Sequence, residues 1–287
     1  IFDIGNENIF AARDRFGVKP FYYWFSPKGF LAFASEIKQF TTLPGWKARL
    51  NHSRAYDFLS RCWIDHTRET LFSDVFQLRG GEYIHCSISD INRSLPIKKW
   101  YELKPKKTNF DFDISSEHLK DLFYNSIRLH LRADVPIGTG LSGGLDSSSI
   151  VCVINEILCE IGTEALQNTF SSCSEFSEYD ERPFIEEVVR QTKVKTHYIF
   201  PSLDKLFEES EAIAWYQDEP YSSTSVYAEW NVYKTVAKTS VKATLEGHGA
   251  DELFFGYPVF FKIYLQSLLA EGRVIQMIRE FLKIRKV

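Results

Sequence analysis

Apolar and polar residues follow different patterns on the two sides of residues 104–115. From residue 9 to residue 33, aromatic and β-branched runs of strand length alternate with glycine- and proline-containing turns, which predicts a β-meander. Gly80 and Gly81 separate two further strand-like runs and predict a hairpin. Residues 1–103 are therefore expected to be rich in β-structure.

Beyond this region, strand-like and helical patterns alternate. Helical periodicity runs from Glu117 to Leu131, and short apolar runs then precede successive helical patterns as far as the strand-like run VKATLE at residues 241–246. Strict alternation predicts an α/β fold with an open parallel sheet and helices on both faces. We place a linker at residues 104–115, which are charged and contain Pro105, and a second domain at residues 116–287.

Composition excludes several classes of partner. The chain has 34 Lys and Arg against 38 Asp and Glu, so no broad basic surface is available for nucleic acid. Its five cysteines lack C-x-x-C spacing, so neither a zinc site nor a disulfide framework is expected. No leader or membrane span is recognised. We expect a cytoplasmic protein, and the start at Ile1 with a single methionine, Met277, indicates a fragment.

The sequence LSGGLDSSSI, residues 141–150, is the first candidate ligand loop. It lies between a predicted strand and a predicted helix, and in a parallel sheet such a loop lines the ligand crevice. Gly143 and Gly144 would let a phosphate approach the backbone, and the helix would direct its first N–H groups at the anion. Ser142, Ser147 and Ser148 would add hydroxyl donors.

Asp146 in this loop indicates a metal. A carboxylate would repel phosphate unless a cation lay between them, and Mg²⁺ binds both groups. The loop lacks the lysine of the kinase and GTPase pattern G-x-x-x-x-G-K-[ST]. A second loop, EGHGADE at residues 246–252, also follows a predicted strand, so we expect the two loops to face each other with Asp146 and Asp251 sharing the metal. Each loop has a structural alternative, a tight turn for the first and a helix N-terminus carrying acidic residues for the second.

These motifs resemble those of the glutamine-dependent asparagine synthetase family. LSGGLDSS is similar to the S-G-G-x-D-S loop of synthetases that cleave ATP to AMP and pyrophosphate, and EGHGADELFFGY resembles the second nucleotide loop of the family. ARDRFGVKPFYY resembles the closing strands of its glutaminase domain, and DERPFIEEVV and DEPYSSTS resemble two further segments. The resemblance implies an adenine nucleotide alpha-hydrolase-like domain after part of an N-terminal-nucleophile glutaminase domain.

The resemblance also implies an activity, an AMP-forming ligase that uses ATP and Mg²⁺. A carboxylate, usually that of aspartate, would be adenylated with release of pyrophosphate, and ammonia from glutamine would then form the amide. His248, Asp146 and Asp251 would be catalytic, and Asp146 and Asp251 would bind Mg²⁺. The implied ATP and pyrophosphate site consists of Leu141, Ser142, Gly143, Gly144, Asp146, Ser147, Ser172, Glu246 and Gly247.

His248 departs from the family pattern. Many members carry Asp or Glu at this position, thought to act as a base for the nucleophile. Imidazole also accepts a proton near neutral pH, so His248 could keep this role, indicate another nucleophile, or only bind loop backbone. Glu181 and the pair Asp218 and Glu219 are further candidates for contact with substrate or Mg²⁺.

Two other functions stay open at this point. One is a ring-closing amide synthetase, such as a β-lactam synthetase or a lasso-peptide cyclase, in which an internal amine replaces ammonia. The other is a non-catalytic ATP-binding module. In the synthetase interpretation the partners are small molecules, namely aspartate or another carboxylate and glutamine or ammonia. Neither the acceptor nor the oligomeric state, for which a homodimer is one option, follows from the sequence.

Overall fold

The computed structural model describes residues 1–91, 94–106, 110–162 and 167–284. It contains two compact units, each built from two segments of the chain. The first unit comprises Ile1–Asn109 and Leu203–Tyr227, and the second comprises Phe110–Ser202 and Ala228–Val287. Residues 107–109 of the predicted linker lie outside the described residues, and the predicted domain boundaries stay a prediction.

The first unit contains two antiparallel sheets. Its seven strands are β1 (Phe2–Asp3), β2 (Asn8–Ala12), β3 (Tyr22–Phe25), β4 (Leu31–Ala34), β5 (Val75–Gln77), β6 (Glu82–Ser87) and β7 (Ile97–Lys99). One sheet has the order β1-β2-β6-β7, and the other has the order β4-β3-β5. The β-rich character predicted for this part of the chain is confirmed, but the meander is split, because β2 and β3 lie in different sheets.

The predicted hairpin at Gly80 and Gly81 is wrong. β5 and β6 belong to different sheets, and the two glycines lie where the chain passes from one sheet to the other. A Cβ on Gly80 would lie 2.8 Å from the backbone nitrogen of Gly17, and the N–H of Gly81 donates to the carbonyl of Asp14 at 2.8 Å. These glycines therefore permit two turns to pack backbone against backbone.

Aromatic residues fill the core of the first unit. Trp24 and Phe40 are buried with Ile37 and Val75, and the Trp24 ring centroid lies 5.3 Å from that of Trp46. The segment after Ser35 forms a 3₁₀ helix, Ile37–Thr42, with Glu36 at its N-terminal cap. The sequence patterns missed α1 (His52–Arg61), which Asn51 caps through the N–H of Arg54.

The second unit contains the alternation predicted from the sequence. Its strands are β8 (Ile137–Gly140), β9 (Asn168–Ser172), β10 (Lys195–Ile199) and β11 (Ala243–Leu245). The helices that follow α1 in the chain are α2 (Phe112–His130), α3 (Leu145–Glu160), α4 (Arg182–Thr192), α5 (Asp204–Gln217), α6 (Ser225–Val236), α7 (Ala250–Phe254), α8 (Pro258–Ala270) and α9 (Val274–Ile284). Of these, α5 belongs to the first unit.

All four strands of the second unit are parallel, in the order β10-β9-β8-β11. Leu141 packs with residues of α3 and α4, whereas Phe170 packs with Val236 of α6. Gly140 is paired with Phe170, and successive side chains of a strand point to opposite faces. The two clusters therefore lie on opposite faces of the sheet, which confirms the predicted α/β fold with helices on both faces.

The strand order reverses beside β8. The chain proceeds from β8 to β9 on one side, and β11 later pairs with β8 on the other side. In open parallel sheets, such a reversal opens a crevice at the carboxyl ends of the two strands. The two candidate loops follow β8 and β11 and therefore lie at this crevice.

One apolar run has the length and composition of a membrane span. It covers Ala250–Ala270, 21 residues, most of which are exposed, and the sequence patterns did not indicate it. Phe255 adopts a left-handed conformation with φ 60°, and Pro258 opens the next helix. Because proline cannot continue a preceding helix, the run is divided into α7 and α8.

Candidate functional site

Serine hydroxyls shape the loop after β8. The Oγ atom of Ser147 accepts a hydrogen bond from the N–H of Ser142 at 3.1 Å and lies 3.0 Å from the Ser142 hydroxyl. The Ser142 hydroxyl in turn accepts from the N–H of Gly144 at 3.3 Å. Both hydroxyls therefore have partners inside the loop, where they fix the course of the backbone that leads into α3.

The two glycines of this loop serve different purposes. Gly143 has a φ of +85°, and a Cβ there would lie 3.0 Å from the Cβ of Phe184 and 3.1 Å from the carbonyl oxygen of Glu181. A side chain at this position would therefore be crowded by the start of α4 and would require a strained left-handed backbone. Gly144 is the N-terminal cap residue of the 16-residue helix α3, and it has no side chain with which to cap the first N–H groups. These groups are suited to bind an anion.

Gly247 brings the second loop against the first. A Cβ on Gly247 would lie 3.2 Å from the Cβ of Asp146 and 3.4 Å from the backbone nitrogen of Ser147. The backbone of the loop after β11 thus contacts the first turn of α3, which the loop after β8 leads into. Asp146, in that first turn, lies at their junction.

Asp251 lies in the first turn of α7, packed against Gly256. A Cβ on Gly256 would lie 1.8 Å from Oδ1 of Asp251. Among the residues that the structure describes, no group of three or more His, Cys, Asp and Glu side chains is arranged to hold a metal ion. Mg²⁺, however, commonly takes only one or two protein carboxylates together with phosphate and water oxygens. The carboxylates of Asp146 and Asp251 have the chemistry that this ion prefers, and their joint role as its ligands stays a prediction.

The side chain of Glu246, directly after β11, extends over Gly140 of the neighbouring strand β8. A Cβ on Gly140 would lie 2.0 Å from Oε2 of Glu246, so only glycine at position 140 leaves room for this carboxylate. Burial raises the pKa of Glu246 above its ordinary value. Its Oε1 atom is buried and has no hydrogen-bond partner among the described residues. An unpaired buried acceptor of this kind is free to bind a ligand hydroxyl or amine.

His248 lies at the surface of the second loop. Its Nε2 atom lies 3.1 Å from Oε1 of Glu229 on α6, and its side chain is 70% exposed. The exposed ring therefore contacts a carboxylate on α6, so it is not a residue that only binds its own loop backbone.

Two further residues of the predicted site, Leu141 and Ser172, lie at the carboxyl ends of β8 and β9. The side chain of Leu141 is buried in the core beneath α3 and α4, and its N–H donates to the carbonyl of Phe170 at 2.9 Å. Ser172 is the last residue of β9 and is partly buried.

Both halves of the chain match models of known protein families. Residues 118–282 match the family model of asparagine synthase, more than half of the chain. The chain belongs to the asparagine synthase family. Residues 1–101 match the model of the glutamine amidotransferase domain.

Relatives of the asparagine synthase family match nearly the whole chain. A putative glutamine-hydrolysing asparagine synthetase of Methanocaldococcus jannaschii is 34% identical over 263 residues, 90% of this chain and 48% of its own length. Human asparagine synthetase is 28% identical over 276 residues, with coverages of 91% and 46%. Amidase chry2 of Gibberella zeae is 27% identical over 275 residues, with coverages of 91% and 39%. The chain therefore spans less than half the length of each relative.

The further acidic candidates have protein partners. Within the first unit, Asp218 accepts from the N–H groups of Ile37 and Lys38 at 2.7 and 3.1 Å, and Glu219 accepts from that of Leu71 at 2.6 Å. These contacts account for both carboxylates without a substrate or a metal. Glu181 precedes α4, and burial raises the pKa of its carboxyl group.

Sequence reasoning missed Gly140 and Glu229 in this member of the asparagine synthase family. Gly140 is the last residue of β8 and matters only because Glu246 crosses over it. Glu229 lies within α6, outside both loop motifs, and its contact with His248 depends on the packing of that helix. No local pattern in the sequence marks either residue.

Proposed function

We propose that the protein is an ATP-dependent amide synthetase that adenylates a carboxylate and then forms an amide with ammonia derived from glutamine. The contact between Gly247 and Asp146 supports this proposal most directly, because it joins two glycine- and aspartate-containing loops at a reversal of strand order, where open parallel sheets bind their ligands. Membership of the asparagine synthase family and the match of residues 1–101 to a glutamine amidotransferase domain also support it.

In this proposal, each part of the crevice binds a different part of ATP. The first N–H groups of α3 and the backbone around Ser142, Gly143 and Gly144 bind the β- and γ-phosphates as a helix N-terminus binds anions. Ser147 holds that backbone in shape. The adenosine is bordered by Leu141, Ser172, Glu246 and Gly247.

The first step is attack by the acceptor carboxylate on the α-phosphorus. A carboxylate oxygen forms a bond to that phosphorus, and the bond from phosphorus to the bridging oxygen breaks, so that pyrophosphate leaves with the electron pair. Asp146 and Asp251 would hold Mg²⁺, which neutralises charge on the phosphates when it is bound. The N–H groups at the start of α3 stabilise the departing anion because they are already oriented before the reaction.

The second step forms the amide. The nitrogen of ammonia attacks the activated carbonyl carbon, AMP leaves with the electrons of the carbon–oxygen bond, and a proton from nitrogen passes to His248 as the base. We take aspartate as the acceptor, because the names of the archaeal and human relatives denote asparagine synthesis.

A screen of pyrophosphate release by the full-length protein tests the proposal. The protein is incubated with ATP, Mg²⁺ and each of the amino acids in turn, with ammonium or with glutamine. We expect aspartate-dependent release with either nitrogen source, accompanied by asparagine and AMP. Nucleotide binding without pyrophosphate release from any acid would contradict the proposal, and formation of a cyclic amide without an added nitrogen source would indicate ring closure.

A further inference from the structure

Glu229 and His248 form a carboxylate–imidazole pair beside the crevice. Glu229 lies on α6, the helix that covers the sheet face opposite α3 and α4, and its Oε1 atom lies 3.1 Å from Nε2 of His248. An ionised carboxylate only accepts hydrogen bonds. In the neutral ring, the contact therefore places the proton on Nε2 and leaves a lone pair on Nδ1.

The loop that carries His248 is held from both sides. Gly247 packs on Asp146 at the start of α3, and Gly249 adopts a φ of +92° as it opens α7. The charges of His248 and Glu229 both influence the pKa of Glu246, directly before Gly247, in opposite directions. The backbone of the loop is thus fixed, and Glu229 fixes the ring that projects from it.

We propose that Glu229 is a positioning residue, which holds His248 so that Nδ1 accepts a proton from the attacking amine. This inference rests on the proposed function and assigns a residue to its second step. As the nitrogen–carbon bond forms and the bond to the AMP oxygen breaks, one proton moves from nitrogen to Nδ1. Glu229 then stabilises the resulting imidazolium, as a carboxylate does in a serine-protease triad.

Folding stability does not account for this pair. The side chains of His248 and Glu229 are 70% and 46% exposed, and exposed ion pairs contribute little to stability. Replacement of either residue should therefore leave the fold intact. For this reason, loss of activity in such variants reports on the reaction and not on unfolding.

Two assays on the full-length protein separate the steps of the reaction. Aspartate-dependent exchange of labelled pyrophosphate into ATP reports the first step, and asparagine formation from aspartate and ammonium reports both. We expect Glu229→Gln and His248→Asn to keep the exchange rate within about twofold and to lower kcat for asparagine formation by roughly 10²-fold. The double variant should lose no more than His248→Asn alone, because the two residues act as one unit.

Two further variants complete the design. Glu229→Asp should recover part of the lost activity, since it retains the carboxylate. Glu160→Gln, which removes an exposed carboxylate paired with Arg128 at the far end of α3, is the matched control and should behave as wild type in both assays.

The outcomes distinguish the inference from the function on which it rests. Absence of exchange in the wild-type protein would overturn the proposed function. Normal exchange together with asparagine formation by Glu229→Gln at the wild-type rate would overturn only the role of Glu229. Loss of exchange in Glu229→Gln would also overturn that role, because it would make Glu229 a part of the nucleotide site.

Discussion

Asp218 binds Lys38 through both the backbone and the side chain. Its Oδ1 atom accepts from the backbone N–H of Lys38 at 3.1 Å and lies 3.2 Å from the ammonium nitrogen. Its Oδ2 atom accepts from the N–H of Ile37 at 2.7 Å. Asp218 thereby caps the 3₁₀ helix that Ile37 opens, and it ties the segment Leu203–Tyr227 to residues that lie far away in the chain.

Removal of the Asp218 carboxylate should destabilise the protein. We expect Asp218→Ala to lower the free energy of unfolding by roughly 2 kcal/mol, since it leaves two backbone N–H groups without their acceptor. Asp218→Asn should cost less, because its amide oxygen can still accept and Asn tolerates the φ of 62° at this position. Urea unfolding of the full-length protein measures both, with the exposed Glu211→Gln as control; an unchanged midpoint for Asp218→Ala would contradict the capping role.

Glu219 should make stability depend on pH. Burial raises the pKa of the Glu219 carboxyl group to about 7, well above its ordinary value of 4.5. Because the folded state holds this proton more tightly than the unfolded state, stability should decrease as pH rises from about 4.5 to about 7 and then level off, by up to about 3 kcal/mol in total. We expect Glu219→Gln to lack this part of the pH dependence.

The comparison requires unfolding curves for wild type and Glu219→Gln between pH 5 and pH 8. All other titrating groups are common to both proteins, so the difference between their free energies of unfolding isolates Glu219. Parallel pH profiles would show that the carboxyl group titrates normally in the folded protein.

Asp146 and Asp251 should each be required for pyrophosphate release. We expect Asp146→Ala and Asp251→Ala to abolish aspartate-dependent release, a loss of at least 10²-fold, because the metal would lose a carboxylate ligand. Glu252→Gln is the matched control, since Glu252 is adjacent to Asp251 and contacts Tyr257. Circular dichroism checks that each variant is folded, and a folded variant with retained release would remove its residue from the metal site.

Gly140 should control the position of Glu246. The Cβ of Gly140→Ala would lie 2.0 Å from Oε2 of Glu246, so the carboxylate must turn away, and a flexible side chain can do so at little cost to stability. We expect KM for ATP to rise roughly tenfold, about 1.4 kcal/mol of binding free energy, with little change in the unfolding midpoint. The control introduces Gly140→Ala into a protein that already carries Glu246→Ala, in which the clash is absent. If Gly140→Ala raises KM for ATP by the same factor in that background, Glu246 does not transmit the effect.

The site loops could be predicted from the sequence because their determinants are local. Glycines, serines and Asp146 at the end of a strand specify a loop that opens a helix, and the common direction of parallel strands predicts that the loops after β8 and β11 meet. The contact of Gly247 with Asp146 agrees with that expectation. The family resemblance rested on the same motifs and is confirmed by the match to residues 118–282.

Features that depend on packing between distant segments could not be predicted. Gly80 and Gly81 have the composition of a hairpin, but their conformation is required by a turn at Gly17 that is remote in sequence. Glu229 was missed because only the fold brings α6 beside the second loop.

The assignment of Leu203–Tyr227 to the first unit has a consequence for how this protein can be divided or recombined. The chain passes between the two units three times, after residues 109, 202 and 227. A single cut near residue 110 would separate Asp218 and Glu219 from the backbone groups that they bind. Gene fission or domain exchange at one junction would thus give two incomplete products, and an intact exchange would have to carry residues 203–227 with the N-terminal segment.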